Sequence, residues 1–416
     1  MEACPYLSED VLVGILARLP VKPLLRLRTV CKSWKSIIGS PEFRSLHLSI
    51  KRYSSTVLLT TKYPQLLDSY DPVEWYMLLD NDHHRPADPS WLGPLDFPFA
   101  YPRLTSPHIV GSINGLICES VSLTCAYDVQ AVISVMLWNP TIRRHVYLPD
   151  LTLTKPDKSS IEFGYDPTTD DYKIVVLTFG RVVTVPEYNV YSLNSNAWRK
   201  GNFLVHPWPD REISFHTTGA FVGGKMHWLL CKADYGRRMY SIFSLYSFDV
   251  AEEVFEEVAL PPQDPDTMFT FPRVTVLGDS LLVGLGRLAS KKFSWTIWVQ
   301  IAAGGWKKMY RVEEIGLPTE FVCVLKNGEL IVDKAREDDD YCSCLSAYDP
   351  RARQFKDLEP LPFSQLRRHG GVASLNDHQE SLVLLDCTPV GDPAHASRSM
   401  SCQVQIKRKT PSGEKN

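Results

Sequence analysis

The stretch LPVKPLLRLRTVCKSWKSII, residues 19–38, places many apolar side chains in a short segment near the start of the chain. Pro20 and Pro23 fit a helix boundary, because proline disrupts a helix interior but is accepted in the first helical turn. The apolar residues that follow recur at intervals of three and four, which is typical of one helix face: Leu24, Leu27, Cys31, Trp34 and Ile38. Further apolar residues lie beside this face, so packing within so short a segment would leave some of them exposed.

The helical pattern extends in both directions, over residues 7–48. Ser8 precedes two acidic residues, an arrangement that is favourable at a helix N-terminus because of capping and the helix dipole. Gly39 followed by Pro41 predicts the end of the helical run. A module of this size is close to the lower limit at which a domain buries a sufficient core. The exposed apolar residues therefore favour a partner protein; the alternative is that they pack against the rest of the chain.

The whole chain has the composition of a folded protein in a reducing compartment. Its 416 residues are 44% hydrophobic and 22% charged, with a net charge of −3, which argues against a general nucleic-acid binder. The ten cysteines have neither zinc nor redox spacing, and the start of the chain has no signal-peptide pattern. Since no apolar run approaches the roughly 20 residues that cross a bilayer, we expect a cytoplasmic and/or nuclear protein without membrane or nucleic-acid partners.

The charge is distributed unevenly. Residues 1–52 hold nine Lys and Arg against four Asp and Glu, a local excess of five positive charges, so the remainder sums to −8. A positively charged helical module favours an acidic partner, and solvated helix faces are the alternative interpretation.

Beyond about residue 55 the sequence changes to short β-rich runs such as AVISVMLW and YKIVVLTF, separated by Gly, Asn, Asp and Pro. Two series of turns repeat along this region. The first series precedes apolar strands and comprises Gly115, Asp171, Gly224, Asp279, Gly328 and Asp377. The second series follows later strands and comprises Asn139, Asn194, Asp249, Ala302 and Asp349.

Both series have a period of about 50 residues, which describes a unit of two β-hairpins and is typical of a kelch-type β-propeller. Roughly 360 residues follow the helical module and would hold about six to seven blades of this length. A jelly roll or β-sandwich is the alternative, but neither predicts such a regular period.

Residues 7–48 resemble an F-box, particularly that of plant F-box proteins with a kelch-like C-terminal region. The stretches GSINGLIC, LWNPTIRR and FGYDPTTDDYKIVVL resemble the F-box-associated region of the same family, in the same order. The resemblance implies a small all-α F-box module at 1–50, an all-β kelch-like β-propeller at 53–410 and a flexible tail at 411–416. Ser8 stands where the family usually has Pro; because Ser caps a helix well, we expect a small effect on the first turn and no loss of binding.

The resemblance also implies that the F-box binds a Skp-type adaptor, which connects it to a cullin and a RING protein. Mapped by position, the residues that face the adaptor or form the core of the module are Leu7, Leu12, Ile15, Leu16, Leu19, Pro20, Leu24, Leu25, Val30, Cys31 and Trp34. The propeller would bind the protein that is targeted for ubiquitination, and the chain would need no catalytic residue or cofactor. A scaffold that uses the same adaptor without promoting degradation, and a propeller enzyme, are the alternatives.

Three loops of the predicted propeller carry aromatic residues among prolines: residues 85–107, 206–212 and 262–273. Aromatic side chains on rigid loops can anchor a protein ligand at low entropic cost. The candidate substrate contacts are Trp91, Phe97, Phe99, Tyr101, Trp208, Phe269 and Phe271. The alternative is that these rings pack back onto the blades.

Other patterns that suggest chemistry have simpler interpretations. Gly284 and Gly286 match a loose dinucleotide motif, but a strand pattern follows where that motif needs a helix, so we expect glycines of tight turns. The acidic residues 337–340 lack the spacing of a calcium loop, and we predict no metal site. Asp166 and Asp170 fit turn residues that accept hydrogen bonds from backbone N–H groups.

Overall fold

The structure is a computed structural model of the 416-residue chain. It describes residues 8–50, 56–63, 73–80, 108–124, 130–154, 158–179, 187–202, 213–215, 219–234, 239–263, 269–289, 292–302, 304–315, 319–335, 343–357 and 372–384. Within these ranges, four helices precede a region built only of strands. The predicted change from helical to strand periodicity is confirmed.

The helices are α1 (Glu9–Leu16), α2 (Val21–Leu27), α3 (Lys32–Gly39) and α4 (Pro41–Ile50). Ser8 is the N-cap residue of α1, although its side chain makes no capping hydrogen bond. The predicted helix end at Gly39 and Pro41 is confirmed, because α3 ends at Gly39, and a further helix follows at once. Proline is accepted at the first position of a helix, and Ser40 Oγ accepts a hydrogen bond from the N–H of Phe43 at 3.1 Å, so α4 starts there.

The four helices enclose a small apolar core. The apolar helical side chains that are at most 2% exposed are Leu16, Val21, Leu24, Ile38 and Phe43. On α4, His47 Nε2 lies 3.0 Å from the carbonyl oxygen of Leu19, which ties this helix to the α1–α2 connection. Leu382, from the far end of the chain, belongs to the same core, and Ile142 packs against it. The helical module is therefore partly closed by residues of the strand region.

The strands form six antiparallel sheets in the described part of the chain, named I to VI below. Sheet I joins strands from both ends of the strand region: β1 (Thr56–Tyr63), β2 (Val73–Asp80) and β25 (Val372–His378). Sheet II contains β3 (His108–Ile113), β4 (Leu116–Thr124), β5 (Gln130–Asn139), β6 (Arg144–Tyr147) and β7 (Leu151–Thr154). Sheet III contains β8 (Lys158–Asp166), β9 (Asp171–Phe179), β10 (Glu187–Ser192) and β11 (Ala197–Asn202).

The remaining sheets also follow sequence order. Sheet IV contains β12 (Ile213–Phe215), β13 (Ala220–Val222), β14 (Lys225–Asp234), β15 (Met239–Asp249) and β16 (Val254–Val258). Sheet V contains β17 (Thr270–Leu277), β18 (Ser280–Ala289), β19 (Lys292–Gln300) and β20 (Trp306–Ile315). Sheet VI contains β21 (Thr319–Val324), β22 (Leu330–Ala335), β23 (Ser343–Asp349) and β24 (Gln354–Asp357).

The six sheets are arranged in a closed ring. Strand β3 contacts β25 on one side and β8 on the other, β8 contacts β13, and the contacts continue through β17 and β21 back to β25. The ring closes in sheet I, where β1 pairs with β25 from Thr56 opposite His378 onward. This arrangement is a β-propeller, as predicted; the number of blades in the whole chain stays a prediction.

The two predicted turn series occupy equivalent places in sheets II to VI. Members of the first series lie at the turn between the strand that contacts the neighbouring sheets and the strand that follows it. An example is Asn114 and Gly115 between β3 and β4, where φ is 51° and 78°. Members of the second series lie at the turn between the last two hairpin strands, as does Asp349, the last residue of β23. Asp377 is the exception, because it lies inside β25 opposite Val57 and is not a turn residue.

Because neighbouring strands are antiparallel, both turn series lie at the same end of the sheets. We call this end the turn face; it carries the hairpin turns at 114–115, 140–143, 167–170, 193–196 and their equivalents in sheets IV to VI. The connections from a second to a third strand, and from one sheet to the next, join the strand ends at the opposite face.

Candidate protein-interaction site

The helical module exposes large apolar side chains that its own core does not cover. Val11 is 49% exposed, Ile15 47% and Val30 64%. Val11 and Ile15 are four residues apart on α1 and therefore lie on the same side of that helix. Cys31, next to Val30, is also exposed. We call these four residues the exposed apolar set, and apolar exposure of this kind is typical of a protein-binding surface.

The structure separates the predicted adaptor residues by burial. Leu16 and Leu24 are 1% and 0% exposed and belong to the core of the module, so they are not available for contact. The residues that pack on the edge of this core are Leu12, Leu19, Leu25 and Trp34. The exposed ones are Ile15, Pro20, Val30 and Cys31. Leu7 lies outside the described residues.

Val11 is a member of the exposed apolar set that the sequence interpretation did not include. Its spacing of four residues from Ile15 on α1 is the signal that identifies it. Val11 and Ile15 each stand one position before a residue of the core side, Leu12 and Leu16. The two pairs therefore lie on different sides of α1.

The connection between α2 and α3 is held in a defined conformation that leaves Val30 exposed. Thr29 Oγ1 donates to the carbonyl oxygen of Arg26 at 2.7 Å, at the end of α2. Cys31 is the N-cap residue of α3, and its Sγ accepts a hydrogen bond from the N–H of Trp34 at 3.4 Å. Hydrogen bonds at both ends of the connection thus fix the backbone that presents Val30 and Cys31.

The helical module carries a net positive charge. Residues 8–50 contain seven Lys and Arg against three Asp and Glu, an excess of four positive charges. The exposed cationic side chains are Arg18, Lys22, Arg26, Lys32 and Lys35. A surface that combines exposed apolar groups with positive charge suits an acidic partner protein, because complementary charge raises the association rate and suppresses wrong partners.

A second, less exposed apolar pair lies on α4. Leu46 is 37% exposed and Ile50 is 36% exposed. The same helix approaches the propeller, since the carbonyl oxygen of Leu48 accepts a hydrogen bond from Gln379 Nε2 at 2.9 Å. The pair on α4 is therefore a competing candidate surface, but one on the helix that is already attached to the propeller.

The predicted substrate residues are only partly covered by the structure. Phe269 is 7% exposed and packs with Ala220, Leu229 and Val274 between sheets IV and V. The prediction that Phe269 contacts a substrate is therefore wrong, because its ring is part of the propeller core. Phe271 lies in β17, but its side chain lies outside the described residues, as do Trp91, Phe97, Phe99, Tyr101 and Trp208, for which the prediction stands untested.

The helical module lies at one end of the propeller. Ile142, in the turn between β5 and β6 on the turn face, packs against the core of the module. The end of β11 and the start of β12 lie at the opposite face. The face opposite the module is thus the one that carries these strand ends.

The motifs that suggested other chemistry have structural roles. Gly284 lies inside β18, paired with Arg273 and Ile297. A Cβ atom at this position would lie 2.4 Å from the buried ring of Phe321, so the glycine lets sheets V and VI pack closely. It is not a turn glycine, which corrects the sequence interpretation, and the strand predicted after it is β19.

Asp166 is a turn residue, as predicted. Its Oδ1 accepts hydrogen bonds from the N–H and the hydroxyl of Thr168 at 2.9 and 2.6 Å, and its Oδ2 accepts one from the Thr169 hydroxyl at 2.7 Å. Asp170 has a positive φ of 50° and accepts a hydrogen bond from the hydroxyl of Tyr165 at 2.7 Å. Both carboxylates are therefore used within their own hairpin.

The described residues form neither a metal site nor a membrane-spanning helix. No group of three or more His, Cys, Asp or Glu side chains in that part of the chain is placed to hold a metal ion. Nor is any helix there both long and apolar enough to cross a membrane. The acidic residues 337–340 fall outside the described ranges.

Two family models match the chain. A model of the F-box domain matches residues 5–46, and a model of the F-box associated beta propeller domain matches residues 114–338. The first covers the helical module except the end of α4. The second covers sheets III to V, sheet II except β3, and β21 and β22 of sheet VI. The two matches follow the same order as the helical and strand regions of the structure.

Individual relatives agree with these matches. The chain is 28% identical over 258 residues to an F-box/kelch-repeat protein of Arabidopsis thaliana, covering 61% of this chain and 65% of that protein. It is 25% identical over 398 residues to an F-box protein of the same plant, covering 85% of this chain and 87% of the relative. Among solved structures, an α-L-arabinanase of Penicillium chrysogenum superposes with a TM-score of 0.38 at 13% identity, over 73% of this chain and 94% of that chain, a score that carries no argument about activity. With an F-box match on its helices and an F-box-associated match over more than half its length, the chain belongs to the plant F-box proteins that carry a kelch-like F-box-associated β-propeller.

Proposed function

We propose that this chain is the substrate-recognition subunit of an SCF-type cullin–RING E3 ubiquitin ligase. Its F-box binds a Skp-type adaptor, which connects it to a cullin and a RING protein, and its propeller binds the protein to be ubiquitinated. The observation that carries the proposal is the exposed apolar set on a module whose own core is already filled. Val11, Ile15 and Val30 are about half exposed or more, although Leu16 and Leu24 beside them are buried.

The energetics of these residues support binding to a partner. Covering the remaining exposed area of each large apolar side chain contributes on the order of 1 kcal/mol. A few such residues, on a module with an excess of Arg and Lys, give an acidic adaptor both an apolar contact and a favourable electrostatic approach. Exposed Cys31 lies at the start of α3 and would be covered together with Val30.

In this proposal the chain carries out no chemistry itself. It holds a target protein near the conjugating enzyme, and such tethering raises the effective concentration of the target's lysines. The target would bind the face of the propeller opposite the helical module, because the module packs on the turn face. The proposed place of action is the cytoplasm, the nucleus or both.

The test is capture of a purified Skp-type adaptor by the full chain. The variant Ile15→Asp with Val30→Asp places charge on two exposed residues, so it should lose adaptor binding while the far-UV and near-UV circular dichroism stay unchanged. The matched control is Val254→Asp, an equally apolar residue that is 59% exposed on the propeller, and it should bind as the wild type does. Undiminished binding by the double variant, or no binding by the folded wild type, contradicts the proposal.

The buried residues make poor test positions. A charge at Leu16 or Leu24 would enter the core of the module and unfold it, because an unpaired charge is costly away from water. Loss of binding in such a variant would not distinguish a contact residue from a core residue, whereas the exposed positions do.

A scaffold that uses the adaptor without promoting degradation would show the same adaptor binding. The two functions differ in the fate of a bound target. Once a target is captured, its half-life with the wild type and with the Ile15→Asp, Val30→Asp variant separates them: a ligase shortens the half-life only when the exposed apolar set is intact.

A further inference from the structure

A short segment near the end of the described chain contacts both the helical module and the propeller. We call Gln379–Leu384 the C-terminal clasp. Its Leu382 is 1% exposed and packs in the core of the helical module with Leu16, Leu24 and Phe43. Its Leu384 is 2% exposed and packs instead in the core between sheets II and III. Side chains two residues apart thus enter two different cores.

Asn139, at the end of β5, holds the clasp by its side-chain amide. Its Nδ2 group lies 3.0 Å from the carbonyl oxygen of Ser381, 3.1 Å from the Ser381 hydroxyl and 2.9 Å from the carbonyl oxygen of Val383. Its Oδ1 accepts hydrogen bonds from the N–H groups of Thr141 and Ile142 at 3.1 and 3.4 Å. The side chain is 0% exposed, so these contacts are made away from water.

The equivalent turns of two other sheets show what is special about Asn139. Asp249 and Asp349 occupy the same place in sheets IV and VI, and each accepts hydrogen bonds from the backbone N–H groups two and three residues later. An aspartate therefore suffices for this turn. Only an amide can also donate hydrogen bonds, and the donors of Asn139 are the groups that reach the clasp.

Two further contacts fix the clasp. Gly115 has a φ of +78°, and a Cβ atom there would lie 2.4 Å from the carbonyl oxygen of Gln379 and 2.5 Å from the hydroxyl of Ser381. The clasp therefore runs directly over the backbone of the β3–β4 turn. On its other side, Gln379 Nε2 donates to the carbonyl oxygen of Leu48 in α4 at 2.9 Å.

We infer that the C-terminal clasp holds the helical module in one orientation on the propeller, with Asn139 as the residue that positions it. The clasp joins α4 and the core of the module to sheet II by apolar contacts and hydrogen bonds on both sides. One consequence rests on the proposed function: the clasp would set where a target on the propeller lies relative to the adaptor. The orientation itself does not depend on that function.

The test compares two opposite substitutions in equivalent turns. Asn139→Asp keeps the acceptor that the turn needs but replaces the donor with an oxygen that faces two carbonyl oxygens, those of Ser381 and Val383. Asp349→Asn makes the reverse change in a turn of sheet VI. In each variant, dyes are placed by non-natural amino acids at exposed Lys35 in α3 and exposed Ile301 in the β19–β20 turn, and the distance between them is followed by single-molecule energy transfer.

We expect one narrow distance distribution for the wild type and for Asp349→Asn, and a broad one for Asn139→Asp. A narrow distribution in Asn139→Asp, at the wild-type value, overturns the inference. Adaptor capture, measured in parallel, should be unchanged in Asn139→Asp because the exposed apolar set is not altered. A wild type that shows the narrow distribution but binds no adaptor would refute the proposed function and leave the clasp standing.

Asn139→Asp also places a charge in a buried site, so its propeller is checked by near-UV circular dichroism. If it does not fold, variants of Leu382 test the inference instead, because the Leu382 side chain packs in the core of the module and not in the sheet. Leu382→Asn should broaden the distance distribution. The volume-conserving Leu382→Met, made separately in the wild type, should keep the narrow wild-type distribution. Narrow distributions in both Leu382 variants overturn the inference.

Discussion

Asp166 is a single buried carboxylate whose ionisation is tied to the folded state. Burial by itself would raise its pKa, but hydrogen bonds from Thr168 and Thr169 and the charge of Lys173 outweigh burial and lower the pKa to about 2. Because this lies below the ordinary value of 3.8, the carboxylate contributes stability above the ordinary value, and that contribution is lost as the pH falls through about 2.

We therefore predict that Asp166→Asn lowers the free energy of unfolding by about 2 kcal/mol at neutral pH. The difference between variant and wild type should shrink as the pH falls from about 5 to about 2, since the wild type loses its carboxylate there. Urea denaturation at a series of pH values measures it. Asp279→Asn, at an exposed turn, serves as the control; a difference that is the same at every pH would show that the carboxylate is not the cause.

Neighbouring residues show what sequence periodicity could not resolve in the helical module. Ile15 and Leu16 are adjacent on α1, yet they are 47% and 1% exposed. Both are large and apolar, and the module is short, so its apolar residues surround more than one face of each helix. The way the other helices cross α1, and the position of Leu382, decide which of these residues form the core. The local sequence pattern contains neither piece of information.

At the scale of elements, sheets III and IV are joined by a buried lysine. Lys173 on β9 donates to the carbonyl oxygen of Val250, in the β15–β16 turn, at 2.6 Å. Its Nζ also lies 3.0 Å from Glu253 Oε1 and 3.5 Å from Asp166 Oδ2, and only 7% of the side chain is exposed. The lysine thus pairs with a carboxylate of its own sheet and with one of the next.

We predict that Lys173→Met lowers the free energy of unfolding by about 3 kcal/mol, because it leaves the buried carboxylate of Asp166 without its cation. Lys200→Met is the matched control. Lys200 also pairs with a carboxylate, Glu187, at 2.7 Å, but both side chains are about half exposed (58% and 43%), and such pairs contribute less than about 1 kcal/mol. Equal losses in the two variants, measured by chemical denaturation, would contradict this account.

The turns between strands were predictable because their chemistry is local. Asn114 and Gly115 adopt the positive φ values that such residues tolerate, and Asp249 and Asp349 accept backbone hydrogen bonds within their own turns. Asp377 shows the limit of this argument. It has the composition of a turn residue, but pairing of β25 with β1 places it inside a strand.

At the scale of the whole molecule, the joint between module and propeller could not be predicted. The hydrogen bond from Asn139 to Ser381 spans 242 positions, and that from Gln379 to Leu48 spans 331. No periodicity connects residues so far apart. The family resemblance identified both parts of the chain correctly, but it gave no relation between them; the structure adds that the module lies on the turn face.

Hydrogen–deuterium exchange of the full chain, with and without a purified Skp-type adaptor, tests most directly whether the exposed apolar set is the binding surface. We expect slower exchange on binding in peptides that cover α1 and the connection from Thr29 to Trp34. Peptides that cover α4 and the C-terminal clasp should be unchanged, since that side is attached to the propeller. Protection of α4 around Leu46 and Ile50 instead, or no protection in any helix, would contradict the account.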